Sequence, residues 1–106
     1  MERRDQYRVT PIKATVDLND GRESYLGTVN DASYTGVSVD IYSKKMNRKA
    51  VDMMITVYQD DQAYYMRGIP KWIKEHDSKT SIGLKIFEAP QDWYQFLDSF
   101  SPYGTS

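Results

Sequence analysis

A chain of 106 residues, 40% hydrophobic and 27% charged with a net charge of −1, has the balance of one globular domain closed around a single core. It has no cysteine and one histidine, which excludes disulfides, thiolate nucleophiles and cysteine-ligated metals and leaves little for a Ser-His or multi-histidine site. No stretch approaches the roughly 20 apolar residues of a membrane-spanning helix, and the charged start Met1-Glu2-Arg3-Arg4-Asp5 leads into no apolar segment, so neither membrane insertion nor a secretory signal is expected.

In chain order, most of the sequence from Arg8 to Phe87 reads as strands. Irregular strands are expected at residues 8–17 and 25–29, joined through Asn19-Asp20-Gly21, a strong hairpin-turn signal. Val37, Val39 and Ile41 alternate with Ser38, Asp40 and Tyr42, the period of two of a half-buried strand. Val51, Met53, Ile55 and Val57 alternate with Asp52, Met54, Thr56 and Tyr58 in the same way. After the turn Asp60-Asp61-Gln62, a strand over residues 63–75 contains Pro70, which lacks an N–H for the ladder and implies an edge, a bend or a bulge. His76-Asp77-Ser78-Lys79 turns the chain into a last strand in which Ile82, Leu84 and Ile86 alternate with Gly83, Lys85 and Phe87. Five or six short antiparallel strands suggest a small barrel or sandwich, and closure has the advantage of removing sheet edges. After Pro90 the period changes. Trp93, Phe96, Leu97 and Phe100 follow helical spacing, with Pro90 and Asp92 suited to a helix start. That stripe reads as a cap packed on the barrel.

The charge is unevenly placed. Arg3, Arg4 and Arg8 cluster at the start, and Lys44, Lys45, Arg48 and Lys49 form a second basic run, while acids sit at Asp17, Asp20, Glu23, Asp60, Asp61, Asp92 and Asp98. Long nucleic acid usually calls for a broad basic excess. Local positive spots on a neutral background favour a small anion. The run from Lys44 to Lys49 reads as a solvated loop, with partner docking or phosphate steering as the minority reading.

Two motifs carry chemistry. In Arg4-Asp5-Gln6-Tyr7-Arg8, with Arg3 directly before, guanidiniums at i and i+4 lie on one face of a strand or a helix and reach one ligand. Guanidinium forks phosphate, binds the O6 and N7 of guanine, or stacks on a base; taken alone, the segment also reads as a solvated basic tail. In Asp31-Ala32-Ser33-Tyr34-Thr35-Gly36, Asp31 and Ser33 hydrogen-bond backbone and shape a turn, and Gly36 permits a positive φ or a close backbone approach. The same groups suit a ligand, with Asp31 accepting from guanine N–H donors and Ser33 donating to a phosphate oxygen. Alone, this is an ordinary inter-strand turn.

Together, RxxxR, a β-hairpin and then DxSxxG leading into a strand resemble the PilZ domain family, whose members bind cyclic di-GMP. Gly83 followed by Phe87 resembles that family's last strand, and the terminal helix over residues 91–100 is in the expected place. The resemblance implies a mainly β fold, a six-stranded antiparallel β-barrel of split-barrel type with a C-terminal α-helix. It also implies one domain over residues 1–106: an arginine-bearing arm (1–8), the barrel (9–88), the helix (90–100) and a tail (101–106). By the same resemblance Arg4 and Arg8 grip the phosphates and guanines, and Asp31, Ser33 and Gly36 complete the pocket. Arg3 is associated with a stacked, intercalated ligand dimer. A stand-alone, non-catalytic cytoplasmic receptor is expected, with no cofactor or metal, which passes its signal to an unidentified protein partner by ordering the arm.

Tyr34, inside the turn, and Trp72, able to stack on a purine, are further candidate ligand contacts; for Trp72 the competing reading is core or rim packing. His76 and Asp60-Asp61 read as turn residues, the latter without the spaced oxygens of a calcium loop. The nine tyrosines are mostly accounted for by strand propensity. Two alternatives remain: a PilZ-like adaptor that binds protein without nucleotide, though such adaptors characteristically lack these motifs, and a small barrel binding single-stranded nucleic acid, which the near-neutral charge disfavours. No nucleophile–base or acid–base pair is legible for an enzyme.

Overall fold

The computed structural model describes residues 14–42 and 52–99. Six strands, β1 (Thr15–Asn19), β2 (Ser24–Ala32), β3 (Gly36–Ile41), β4 (Met53–Gln59), β5 (Gln62–Glu75) and β6 (Thr80–Glu88), are followed by one helix, α1 (Gln91–Asp98). All pairings are antiparallel and the sheet closes in the order β1-β2-β3-β6-β5-β4, with β4 returning to β1. The strand-and-helix pattern expected from periodicity is therefore the one observed, as a closed barrel rather than a sandwich. The earlier part of the first expected strand, Val51 and Phe100 lie outside the described residues.

The alternation sorts side chains as it should. Val16, Leu18, Val37, Val39, Ile41, Met53, Ile55, Val57, Ile82 and Leu84 point inward and are buried. Hairpin chemistry accounts for the joins. At the first, the Asn19 Oδ1 accepts the Gly21 N–H at 2.7 Å and the Asp20 Oδ1 accepts the N–H groups of Arg22 and Glu23, each at 2.9 Å. The backbone donors of Glu23 and Arg22 hold the Asp20 carboxyl below the usual carboxylate range. Gly21 has φ 96°, the left-handed conformation that only glycine adopts freely.

The helix packs against the barrel core. It begins after Pro90, whose carbonyl accepts the Trp93 N–H at 3.1 Å. Trp93 is fully buried and meets Tyr64 of β5 edge to face at 5.6 Å, while Phe96 stacks on Tyr64 at 5.0 Å. Burial, reinforced by the Asp92 carboxylate, raises the Tyr64 phenol pKa. The apolar stripe is thus a cap on the core, as its spacing suggests.

Pro70 marks a bulge, not an edge. The β5–β6 register shifts between Pro70, opposite Leu84, and Trp72, opposite Gly83, leaving Lys71 as the extra residue. A closed barrel offers no edge, so a residue that cannot donate to the ladder is accommodated where the ladder is already interrupted. The same ladder also shifts between Arg67 and Gly68, and a further bulge interrupts β2, where Val29 faces Val39 but Asp31 faces Ser38. The irregularities at Pro70 and at Asn30 build the site.

Candidate functional site

Both bulges serve one transverse row across four strands. Asp31 of β2 pairs with Ser38 of β3, Ser38 with Gly83 of β6, and Gly83 with Trp72 of β5. The row is the floor of an open groove of about 480 Å³, which is also lined by Thr35, Gly36, Lys71 and Lys85. Lys85 stands directly opposite Gly36 in the β3–β6 ladder, so a cation borders the start of β3. At the far side, the β5 bulge leaves both Lys71 and Trp72 exposed.

Gly83 positions the tryptophan. A Cβ at this residue would overlap the Nε1 and Cε2 of Trp72, so the indole rests directly on the glycine backbone. Its 44% exposure leaves surface for a planar ligand, and the Lys74 ammonium lies 5.5 Å from the ring centroid. Trp72 is therefore a partly exposed rim residue, and it reaches the groove that the sequence motif borders from the other end.

Asp31 and Ala32 belong to β2 rather than to the inter-strand turn expected from the motif, and the turn proper, between Ala32 and Gly36, is tightly made. The Ser33 N–H donates to the Gly36 carbonyl at 2.7 Å and the Ser33 hydroxyl to the same oxygen at 3.4 Å; the Thr35 carbonyl accepts the Ile86 N–H at 2.9 Å. Ser33 is only 2% exposed, so its hydroxyl serves the turn rather than standing free on the surface. Gly36 opens β3 in strand conformation; the positive φ foreseen as one option is absent there. Tyr34 does not line the groove. Its hydroxyl donates to the Asp98 carboxylate and its ring meets Tyr94 edge to face at 5.2 Å, which ties the turn to α1.

A polar brace flanks the groove. Asp40, on the same face of β3 as Ser38, accepts from Ser81 at 2.6 Å, from Asn30 at 2.9 Å and from Lys79 at 3.0 Å. Burial alone would raise its pKa, but these donors outweigh it and hold the carboxyl below its ordinary value. The brace joins the bulged residue Asn30 to β3 and β6 and so fixes the β2 bulge that carries Asp31.

Of the residues singled out from sequence, Asp31, Gly36 and Trp72 line one groove, Ser33 shapes its turn and Tyr34 faces the helix. Arg3, Arg4 and Arg8 lie outside the described residues, as does the basic run from Lys44 to Lys49. Sequence reasoning passed over Ser38, Lys71 and Lys85 as groove residues. Pro70 was the available signal for Lys71, since the bulge it implies turns its neighbours outward. Among the described residues no cluster of His, Cys, Asp or Glu could hold a metal, and no helix is long and apolar enough to cross a membrane.

In solved structures, the fold resembles the inhibitor of motility MotI/DgrA of Bacillus subtilis, with a TM-score of 0.70 and 12% identity over 85% of this chain. The chain spans less than half of that protein, 45% of its length. No curated protein matches by sequence. The PilZ domain family matches residues 2–99, nearly the whole sequence. This chain belongs to the PilZ domain family, a family of non-catalytic cyclic di-GMP-binding and adaptor domains.

Proposed function

We propose that this protein is a cytoplasmic receptor for cyclic di-GMP. The observation that carries the reading is the single groove in which Asp31, Ser38 and Trp72 stand in one row with Lys71 and Lys85 at its margins. A carboxylate accepts from guanine N–H groups, an indole face stacks on a purine, and ammonium groups attract phosphate. Nucleotides combine a base and phosphate in this way, and the carboxylate favours guanine among the bases.

On this reading Arg4 and Arg8 grip phosphate and guanine, and Arg3 supports a second, intercalated ligand molecule. Charge-assisted bonds offset the entropy lost when the arm is ordered on the ligand. The ordered arm, together with the turn it meets, then presents a changed surface to a downstream protein in control of motility, biofilm or exopolysaccharide. Its membership of the PilZ family and the intact RxxxR and DxSxxG motifs support nucleotide binding over an adaptor role without ligand.

Isothermal titration calorimetry with cyclic di-GMP, with GTP and cyclic di-AMP as controls, tests the proposal. Saturable heat selective for cyclic di-GMP is expected. Absence of both heat and thermal shift at high ligand concentration would favour the adaptor reading.

A further inference from the structure

The groove has two cations that neither sequence motif contains. Other basic residues nearby are engaged: Lys79 pairs with Asp40 at 3.0 Å, Arg67 bridges Asp52 and Glu88, and Lys74 lies over the Trp72 ring. Lys71 and Lys85 hold no ion pair among the described residues, although both are exposed at the groove and neither is a distant surface charge. Their positions follow from the fold. Lys85 is the outward residue of β6 opposite Gly36, and Lys71 is the extra residue of the β5 bulge beside Trp72. A regular strand would turn one of residues 71 and 72 inward; the bulge presents both to the same ligand. An ammonium at each of two points, with an indole beside one of them, suits an anion attached to a planar base.

We propose that Lys71 and Lys85 are phosphate contacts of the nucleotide site, and that the β5 bulge exists to present Lys71 together with Trp72. The proposal rests on the cyclic di-GMP reading and adds to it. It assigns part of the phosphate grip to the barrel wall. Lysine is a point charge without a preferred plane, so these contacts contribute affinity while selectivity for guanine stays with hydrogen-bonding groups such as the Asp31 carboxylate.

The test is calorimetry with cyclic di-GMP at several salt concentrations, using wild type, Lys71→Ala, Lys85→Ala, the double variant and the arginine exchange Lys85→Arg. Each alanine variant is expected to bind about tenfold more weakly, with a shallower dependence of log K on log salt. Lys85→Arg should restore most of the affinity, and selectivity over cyclic di-AMP should be unchanged throughout. Wild-type binding that persists within twofold in both alanine variants, with the same salt dependence, overturns the lysine assignment and leaves the receptor reading intact. Absence of wild-type binding overturns the receptor reading, and the assignment falls with it.

Discussion

The indole of Trp72 lies on Gly83, its cross-strand partner, where any side chain would overlap the ring. Two residues on neighbouring strands thus act as one aromatic platform, the glycine supplying the space and the tryptophan the surface. Base stacking on such a platform is worth about 1–3 kcal/mol. Trp72→Ala should therefore weaken cyclic di-GMP binding by one to two orders of magnitude by calorimetry, with little change in melting temperature. Gly83→Ala should lift the indole off the barrel and weaken binding as well. Unaltered affinity in both variants would remove the platform from the site.

Ser33→Ala is expected to affect stability as well as binding. The hydroxyl is buried and donates to the Gly36 carbonyl, so its loss should cost about 1 kcal/mol in urea unfolding. The turn that follows Asp31 loosens with it, and ligand affinity falls. A variant as stable as wild type would show that the backbone bond from the Ser33 N–H holds the turn unaided.

Asp40 gives the fold a pH dependence at the acid end. Its folded pKa lies below the ordinary 3.8, so its contribution is fully present above the unfolded value and is lost as pH falls through the folded one. Asp40→Asn should be less stable than wild type at neutral pH, and the gap should narrow below about pH 4. Urea titrations at neutral and acid pH measure both; a gap that does not change with pH would rule out the carboxylate as its source.

The helix cap is a core element, and removing its anchor should show it. Trp93 is fully buried against Tyr64 and Phe96, so Trp93→Ala should cost about 3–5 kcal/mol. A loss below about 1 kcal/mol in thermal or urea unfolding would mean that α1 folds onto the barrel without contributing to it.

For the N-terminal motif, Arg4→Ala and Arg8→Ala should each weaken cyclic di-GMP binding, and Arg3→Ala should shift the calorimetric stoichiometry toward one ligand per chain. A stoichiometry equal to that of wild type would separate Arg3 from the second ligand molecule.

Most of the strand pattern was legible because a half-buried strand writes its burial into a period of two, as Val37, Val39 and Ile41 do opposite Ser38 and Asp40. Local chemistry also marked the turns: Asn19 and Asp20 satisfy the backbone donors around Gly21, and Pro70 announced an interruption in β5. The helix was readable from Trp93, Phe96 and Leu97 for the same reason, with a different period. Asp31, Ser33 and Gly36 could be named as a motif because they are neighbours in the chain.

What the sequence could not contain was the company these residues keep. β6 lies between β3 and β5, and that order places Gly83 between Ser38 and Trp72. Strand order depends on non-local pairing, which leaves no periodic trace. A bulge reverses the in-and-out parity that sequence reading relies on, so Lys71 joined Trp72 at the groove although alternation would have parted them. The turn likewise buried Ser33. Local patterning determined the strands, the turns, the helix and the motif; only closure of the barrel decided which side chains meet in one groove, because register and strand order arise from contacts between segments far apart in the chain.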